Sequence, residues 1–460
     1  MSDSASPLTP SERRRALGLG HVNAALWAIG NALTTGPLVS YLARDLGAQG
    51  LALGLVLAIP NLAGVLRLVA PAVIYRAGTA RRACLGVSLA SYVLILALPA
   101  IAVAAPAISR PTAVAAMIVL LFSHQLLEYL GTVALWSWWA DLVPPPIRGR
   151  YFGRRQMIQL SVSIPTLLAS GYFADLWRER FAAEPDRLLL AYAIPTALGA
   201  LALLASLVPL ALMPATRQYP KPQARLLYST IAAPFVDRRF WRLLVFRSWF
   251  SLANGISQTV QNVIYPKDVL GFGVGPLAAM RVSMQLGQMG ASRWVGRTSD
   301  RFGNRPVLMA AQACVSLSLV FYILARGDSR WLLLGAWILF SAYVAHNICL
   351  PNLVLKLAPD VDTPAYVASN EALGSVFHAV ATVAGGVIFD WLRSSSTDTA
   401  AEPYRSCLII LLAGLAMRSL AVALLAAIDE PGAWTWREIL AAHFNPHQTG
   451  EGGEGHRRKA

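Results

Sequence analysis

Apolar runs of about 20 residues follow one another along most of the chain, separated by short polar segments. An α-helix needs a run of this length to cross the hydrocarbon core of a bilayer. Twelve such runs can be counted, and they predict twelve membrane-spanning helices, here called spans 1 to 12. Their approximate bounds are 18–43, 51–75, 84–105, 112–139, 154–175, 188–213, 243–266, 274–296, 306–326, 331–356, 365–391 and 405–428.

The longest internal connection, residues 214–242, is rich in Pro and Arg and separates the first six spans from the last six. We therefore predict an all-α polytopic membrane protein built from two pseudo-symmetric six-helix bundles. The predicted parts are a cytoplasmic N-terminal segment 1–17, an N-terminal six-helix bundle 18–213, a cytoplasmic linker 214–242, a C-terminal six-helix bundle 243–428 and a cytoplasmic tail 429–460.

The two halves also repeat one another, because identical residues recur at a nearly constant separation. The pairs are Gly171 with Gly386 and Asp175 with Asp390 at 215 positions, and Arg76 with Arg301 and Gly78 with Gly303 at 225 positions.

Charge sets the predicted orientation. The net charge is +15, but the cations are spread over the loops without the clustered basic face that nucleic-acid binding needs. Predicted cytoplasmic segments hold 24 Lys and Arg residues and the opposite loops hold 10, which predicts cytoplasmic N- and C-termini. The preference for arginine over lysine and the absence of N-x-S/T sequons favour a bacterial protein of the inner (plasma) membrane.

Composition and motifs argue against an enzyme. The chain is 56% hydrophobic and 14% charged, and it contains no P-loop, H-E-x-x-H or G-x-S-x-G motif. The four cysteines are isolated, and the spans contain no H-x-x-x-H or H-x-x-E pair. We therefore expect no catalytic residue, no cofactor and no metal site.

The loop between spans 8 and 9 carries the most specific motif. It reads Gly296-Arg-Thr-Ser-Asp300-Arg301-Phe-Gly303-Asn-Arg305 and lies between two apolar runs. This G-x-x-x-D-R-x-G-x-R pattern resembles the signature loop of the major facilitator superfamily. The resemblance implies a monomeric secondary transporter that works by alternating access. It also implies a cytoplasmic gate in which Asp300 faces the N-terminus of span 11.

The matching loop of the first half departs from the family pattern. It keeps Arg76 and Gly78, but Tyr75 stands where the family has an acid. Whether this change alters gating is left open. Span 4 lacks the arginine of the family's proton antiporters, and span 5 lacks the glycine-proline run of its drug antiporters, which slightly favours uptake over efflux.

Polar side chains inside the spans are costly, so each is expected to face a partner or a wet cavity. They follow helical stripes, mainly on spans 1, 4, 5, 7, 8, 10 and 11, with the same rhythm as a single helix face. The candidate residues of a substrate and coupling cavity are Asn31, His124, Glu128, Gln258, Asn262, Arg281, Gln285, His346, Glu371 and His378.

Depth along the helices suggests two intramembrane ion pairs. Arg67 and Glu128 lie at similar depths, as do Arg293 and Glu371. These pairs could join helices of one half or take part in coupling. A buried carboxyl group titrates near neutral pH more readily than an exposed one, so Glu128 is the first choice for a proton-coupling residue.

The sequence therefore predicts a secondary active transporter that moves a small organic solute, coupled to protons, in a lipid bilayer. A drug or metabolite efflux antiporter is the alternative within transport. A non-transporting relative, such as an assembly factor or sensor on the same fold, is the alternative outside it.

Overall fold

The computed structural model describes residues 9–65, 70–144, 147–214, 234–359, 363–395, 402–435 and 438. The described chain is mainly helical, and its helices follow the predicted order. In the N-terminal half they are Pro10–Thr34 and Pro37–Asp45 (span 1), Gly50–Val65 and Ala70–Ala77 (span 2), Ala80–Ile95 and Ala97–Ala104 (span 3), Arg110–Leu142 (span 4), Arg148–Arg180 (span 5) and Leu190–Ala211 (span 6).

The C-terminal half follows the same plan. Its helices are Arg238–Gly255 and the π-helical Val260–Val269 (span 7), Val274–Phe302 (span 8), Asn304–Leu324 (span 9), Leu332–Leu339 and Tyr343–Leu357 (span 10), Thr363–Ser394 (span 11) and Glu402–Ala426 (span 12).

Eight of the twelve helical spans are long and apolar enough, in the described residues, to qualify as membrane-crossing by length and hydropathy alone. The other four are spans 1, 2, 7 and 8. Span 1 is broken at Gly36, whose φ of 71° ends one helix and starts the next. Span 8 is continuous but carries several charged residues. Span 2 is apolar, but its two described helices, Gly50–Val65 and Ala70–Ala77, are each shorter than a full membrane crossing.

Spans 1 and 6 show how close packing is achieved. A Cβ added at Gly30 would lie 2.8 Å from the carbonyl oxygen of Gly199, and one at Gly199 would crowd Leu33 and Thr34. Helices in lipid associate through close van der Waals packing, because lipid tails remove the hydrophobic driving force between them. The two glycines allow that approach.

By compactness, the chain forms two units. The first comprises the N-terminal half together with Asn262–Ala279, from the junction of spans 7 and 8, and Val383–Ser394, the end of span 11. The second comprises the remainder of the C-terminal half. Its core is a cluster of aromatic and aliphatic side chains that includes Phe240, Phe246, Leu308, Leu353 and Leu425. The units thus differ from the two predicted bundles in the assignment of these helix ends.

Candidate functional site

Glu128 lies near the middle of span 4, 18 residues from the start of its helix and 14 from its end. Its side chain is 12% exposed. The indole N–H of Trp27 donates to Oε1 over 2.8 Å, and Nε2 of His124 lies 3.1 Å from Oε2, in poor alignment for a hydrogen bond. Among the described residues, no arginine or lysine pairs with this carboxylate. Its contacts are a neutral indole and a titratable imidazole.

The other nitrogen of the His124 ring contacts Ser91 on span 3. Ser91 Oγ lies 2.8 Å from Nδ1 and 2.8 Å from the carbonyl oxygen of His124, and Nδ1 lies 3.1 Å from the carbonyl oxygen of Ser91. The hydroxyl can donate its single proton to Nδ1, or it can donate to the His124 carbonyl while Nδ1–H donates to the Ser91 carbonyl. Nδ1 of His124 therefore has a hydrogen-bond partner in either tautomer of the ring.

A buried arginine lies elsewhere in the same unit. The Arg155 guanidinium donates to the side-chain oxygen of Asn23 over 3.2 Å and lies over the ring of Trp139. Asn23 donates to the carbonyl oxygen of Ser206 on span 6. These contacts join spans 1, 4, 5 and 6 through polar groups. Asn31, two turns further along span 1, lies 3.4 Å from the Thr35 hydroxyl.

In the second unit, spans 7 and 11 meet through a polar cluster. His378 Nε2 lies 2.5 Å from Oε1 of Gln258, and the Thr382 hydroxyl donates to the same oxygen over 2.9 Å. Asn254, one turn before Gln258, accepts a hydrogen bond from Tyr343. Asn262 lies on the π-helical continuation of span 7.

Glu371 on span 11 pairs with Arg247 on span 7. The guanidinium lies 3.3 Å from Oε2, and the Glu371 side chain is 51% exposed. Arg293, the predicted partner, is exposed on span 8. Within the described residues, Arg281 makes no hydrogen bond or ion pair, and Oε1 of Gln285 is buried without a partner.

A second buried network joins residues of spans 7, 9, 10 and 12. Arg418 on span 12 is 2% exposed and donates to Gln261 over 3.0 Å and to Ser257 over 3.3 Å. Gln312 on span 9 donates to the Arg418 carbonyl and lies 3.0 Å from Nε2 of His346. His346 therefore belongs to a packed amide network, and its ring stacks on Phe250.

Two aspartates cap helix N-termini in the first unit. Asp175, near the end of span 5, accepts from the backbone N–H groups of Val274 and Gly275 over 2.8 and 2.7 Å. These groups begin span 8, where the helix dipole favours a negative charge. A Cβ added at Gly171 would come within 3.0 Å of the Gly275 Cα, so the two helices touch closely beside this cap.

The second cap repeats the first at the symmetry-related position. Asp390, near the end of span 11, accepts from the N–H groups of Gly50 and Leu51 over 2.8 and 2.7 Å, at the start of span 2. A Cβ added at Gly386 would clash with the Gly50 backbone. We call these two sites the aspartate latches. Each joins a span of one half to a span of the other.

An ion cluster lies at the end of span 1. Asp45 contacts Lys267, and its Oδ2 lies 2.5 Å from both Arg178 and the Tyr192 hydroxyl. The neighbouring Arg44 pairs with Asp268 over 2.6 Å. The cluster joins spans 1, 5 and 6 to the end of span 7.

The opposite end of span 8 holds the Gly296–Arg305 motif. Gly303 has a φ of 94° and forms the turn before span 9. Asp300 and Arg301 are exposed. Thr363 begins the span 11 helix, but its capping residues lie outside the described chain, so the predicted gate between Asp300 and span 11 remains a prediction.

Glu430, beyond span 12, caps the helix that follows the motif. Its side chain is fully buried and accepts from the N–H groups of Asn304 and Arg305 over 3.1 and 2.6 Å and from Lys356 Nζ over 2.8 Å. Burial raises the pKa of this carboxyl group, but the hydrogen bonds from Lys356, Arg305 and Asn304 outweigh burial and hold the pKa below its usual value. Trp434 N–H donates to the Phe302 carbonyl next to the same turn.

The sequence profile of the Major Facilitator Superfamily matches residues 21–385. The chain belongs to the major facilitator superfamily. The match covers both halves and the loop motif, so the fold class and the transporter family predicted from the sequence are confirmed. Among curated protein sequences, none matches this superfamily member significantly.

Solved structures of other superfamily members share the fold. A mutant of the nucleoside transporter NupG has 16% identity and a TM-score of 0.63, with 90% of this chain and 99% of that chain covered. A D-xylose-proton symporter has 14% identity and a TM-score of 0.64, covering 90% and 97%. A bacterial homologue of the lysosomal transporter Spinster has 12% identity and a TM-score of 0.63, covering 93% and 100%.

The structure brings some predicted site residues of this superfamily member together and separates others. His124 with Glu128 and Gln258 with His378 are in contact. Arg67, predicted to pair with Glu128, lies outside the described residues, and so does the Tyr75 side chain. Arg76 is exposed, and Gly78 has a φ of 76° that suits a turn.

Sequence reasoning missed the partners of the two latch aspartates and the role of Glu430. The shared separation of Asp175 from Asp390 and of Gly171 from Gly386 was a usable signal for the latches. No pattern marked Glu430, because it lies in the predicted tail.

Proposed function

We propose that this protein is a proton-coupled secondary transporter that moves a small organic solute by alternating access. It lies in the bacterial plasma membrane, with both termini in the cytoplasm. Its family membership supports solute transport, and the unequal distribution of Lys and Arg over the loops supports this orientation.

The observation that carries the coupling proposal is the environment of Glu128. The carboxylate lies at mid-span, is nearly buried, and contacts Trp27 and His124. A carboxylate paired with arginine holds its negative charge, because protonation would leave the arginine uncompensated. Glu128 has only a titratable or neutral group beside it in the described chain. We propose that Glu128 takes up a proton on one side of the membrane and releases it on the other.

His124 supports this role by its hydrogen bonds. Ser91 supplies a hydrogen-bond partner to Nδ1 whether or not this atom carries a proton. We propose that His124 and Glu128 share the transported proton, with Ser91 as a positioning residue.

Solute binding is assigned to the polar stripes. In the C-terminal half, Gln258, His378 and Thr382 form one connected cluster, and Arg281 is a cation without a partner among the described residues. Amide, imidazole and guanidinium groups suit a polar solute with several hydrogen-bonding groups.

The experiment uses protein reconstituted into liposomes with an internal pH dye. A solute panel of nucleosides, pentoses and dipeptides is added under an imposed proton gradient, and proton flux is recorded for the wild type and Glu128→Gln. The variant keeps the side-chain shape but cannot titrate. We expect the solute-dependent proton flux to disappear in the variant.

Solute counterflow separates coupling from binding in the same liposomes. Exchange of labelled for unlabelled solute needs alternating access but no net proton movement, so it should persist in Glu128→Gln. Glu184→Gln, which removes an exposed local ion pair with Arg187, serves as the matched control and should retain both activities. Persisting proton flux in Glu128→Gln would exclude Glu128 as the coupling group. Counterflow without proton flux in the wild type would indicate a uniporter or another ion.

A further inference from the structure

A groove of about 480 Å³ runs along the surface of the second unit, between spans 8, 9 and 10. Its volume lies within the range of small-molecule sites. Small residues from all three spans make the room: Ala291, Ala310, Ala311, Ala342 and Ala345. Trp294 and Ile338 form part of its walls and are 68% and 55% exposed. The groove therefore opens outward, on helices that lie in the hydrocarbon core.

The length of the groove matches one leaflet of the bilayer. On span 8 its lining runs from Ala291 to Phe302, which is 11 residues, or about 16 Å at the rise of an α-helix. The hydrocarbon core is about 30 Å thick, so this distance is about half of it. The lining is almost entirely apolar, with Thr298, Cys314 and Ser341 as its only side chains bearing oxygen or sulfur.

Cations lie at one end of the groove. Arg301 and Arg305 adjoin the lining residues Phe302 and Pro306 in the chain, and the Arg301 guanidinium lies 5.0 Å from the centre of the Phe302 ring. Arg305 donates a hydrogen bond to the Ile428 carbonyl, whereas Arg301 is exposed. With Arg297 and Asp300, the Gly296–Arg305 motif has three arginines and one acid, a net charge of +2. This end faces the cytoplasmic headgroups in the orientation proposed above.

From these features we infer that the groove is a binding site for one anionic phospholipid of the cytoplasmic leaflet. One acyl chain lies along the alanine-lined floor between Trp294 and Ile338, and the phosphate contacts Arg301. The proposed orientation is needed only to choose the cytoplasmic leaflet. The apolar groove and its basic end both belong to the second unit itself. An occupant here contacts spans 8, 9 and 10, and the superfamily motif connects spans 8 and 9.

Lipid retention in native mass spectrometry tests the inference without any transport assay. Purified protein in detergent is mixed with equal amounts of phosphatidylglycerol and phosphatidylcholine carrying the same acyl chains. We expect one phosphatidylglycerol to be retained, with a preference over phosphatidylcholine of about fivefold, the effect of one surface cation on an anionic lipid.

Two variants and a control distinguish binding of the acyl chain from binding of the headgroup. Ala310→Phe fills the groove at an exposed position and should abolish specific retention of both lipids. Arg301→Gln should keep retention but remove the preference. Arg293→Gln removes an exposed arginine that is not part of the groove lining and should change neither. Equal retention of both lipids by the wild type, or an unchanged preference in Arg301→Gln and Ala310→Phe, would overturn the site.

A fluorescence measurement gives a second readout. Cys314 lines the groove and is half-buried, whereas the other three cysteines are buried, so a bimane label can be directed to Cys314. Phosphatidylglycerol with brominated acyl chains should quench this label more strongly than brominated phosphatidylcholine. Equal quenching by the two lipids would contradict the inference even if transport is intact.

Discussion

Neutralising both latch aspartates should open the ends of the helices that they join. Asp175 and Asp390 each accept two backbone N–H groups at a helix N-terminus, over 2.7 to 2.8 Å. Asp→Asn keeps the side-chain shape and one carbonyl acceptor but removes the charge. The change therefore tests the electrostatic part of each latch with little effect on packing.

The size of the effect follows from the geometry. A hydrogen bond to a charged group contributes roughly 1.5–3 kcal/mol, and a carboxylate at a partly buried helix N-terminus up to ~2 kcal/mol. Because asparagine retains part of the interaction, we take about 1.4 kcal/mol per latch, which is tenfold in an equilibrium constant. The two sites share no residue, so their effects should add to about a hundredfold. A state with roughly 1% of molecules open would then become about half open.

Double electron–electron resonance between spin labels can measure this shift. Arg180 and Arg393 are exposed near the ends of spans 5 and 11 and make no hydrogen bond or ion pair in the described part of the chain. Labels at these positions should show one short distance in the wild type and a second, longer distance in the double variant. Glu184→Gln should leave the distribution unchanged. A double variant with the wild-type distribution would show that the carboxylates do not hold this end closed.

Two further variants test the Glu430 cap and the close packing beside one latch. Glu430→Gln should lower the free energy of unfolding by roughly 1–3 kcal/mol at neutral pH. The pKa of Glu430 is lower in the folded protein than in the unfolded one, so its contribution is present above the unfolded pKa and is lost as the pH falls through the folded pKa. The thermal unfolding curves of the variant and the wild type should therefore converge in acid. Gly386→Ala places a Cβ against the Gly50 backbone and should populate the longer label distance, whereas Gly290→Ala, where an added Cβ meets no atom within 4 Å, should not.

Much of the fold follows from the sequence because its determinants are local. A run of apolar residues fixes a span, and the helical spacing of amides on span 7 predicts which side is polar, as the contact of Gln258 with His378 illustrates. The same reasoning placed Glu128 beside His124, because residues four apart share a helix face.

The latches could not be predicted in the same way. Asp390 accepts hydrogen bonds from residues some 340 positions earlier, and the donors are backbone groups that no side-chain pattern reveals. Glu371 shows a related limit, since depth along a helix does not determine rotation about its axis. The sequence offers Glu371 two arginines on neighbouring spans, Arg247 and Arg293, and in the structure Glu371 pairs with Arg247.

The donor half of each aspartate latch has a consequence for how the protein can vary. Every residue except proline supplies a backbone N–H, so positions 50, 51, 274 and 275 can change side chain without losing the donors, subject to the space available at the two glycines. The acceptors have no such freedom, because only a carboxylate of suitable length supplies charge and two acceptor atoms. Among relatives that use this device, the aspartate should therefore record its presence, while the donor positions equivalent to 51 and 274 vary in sequence.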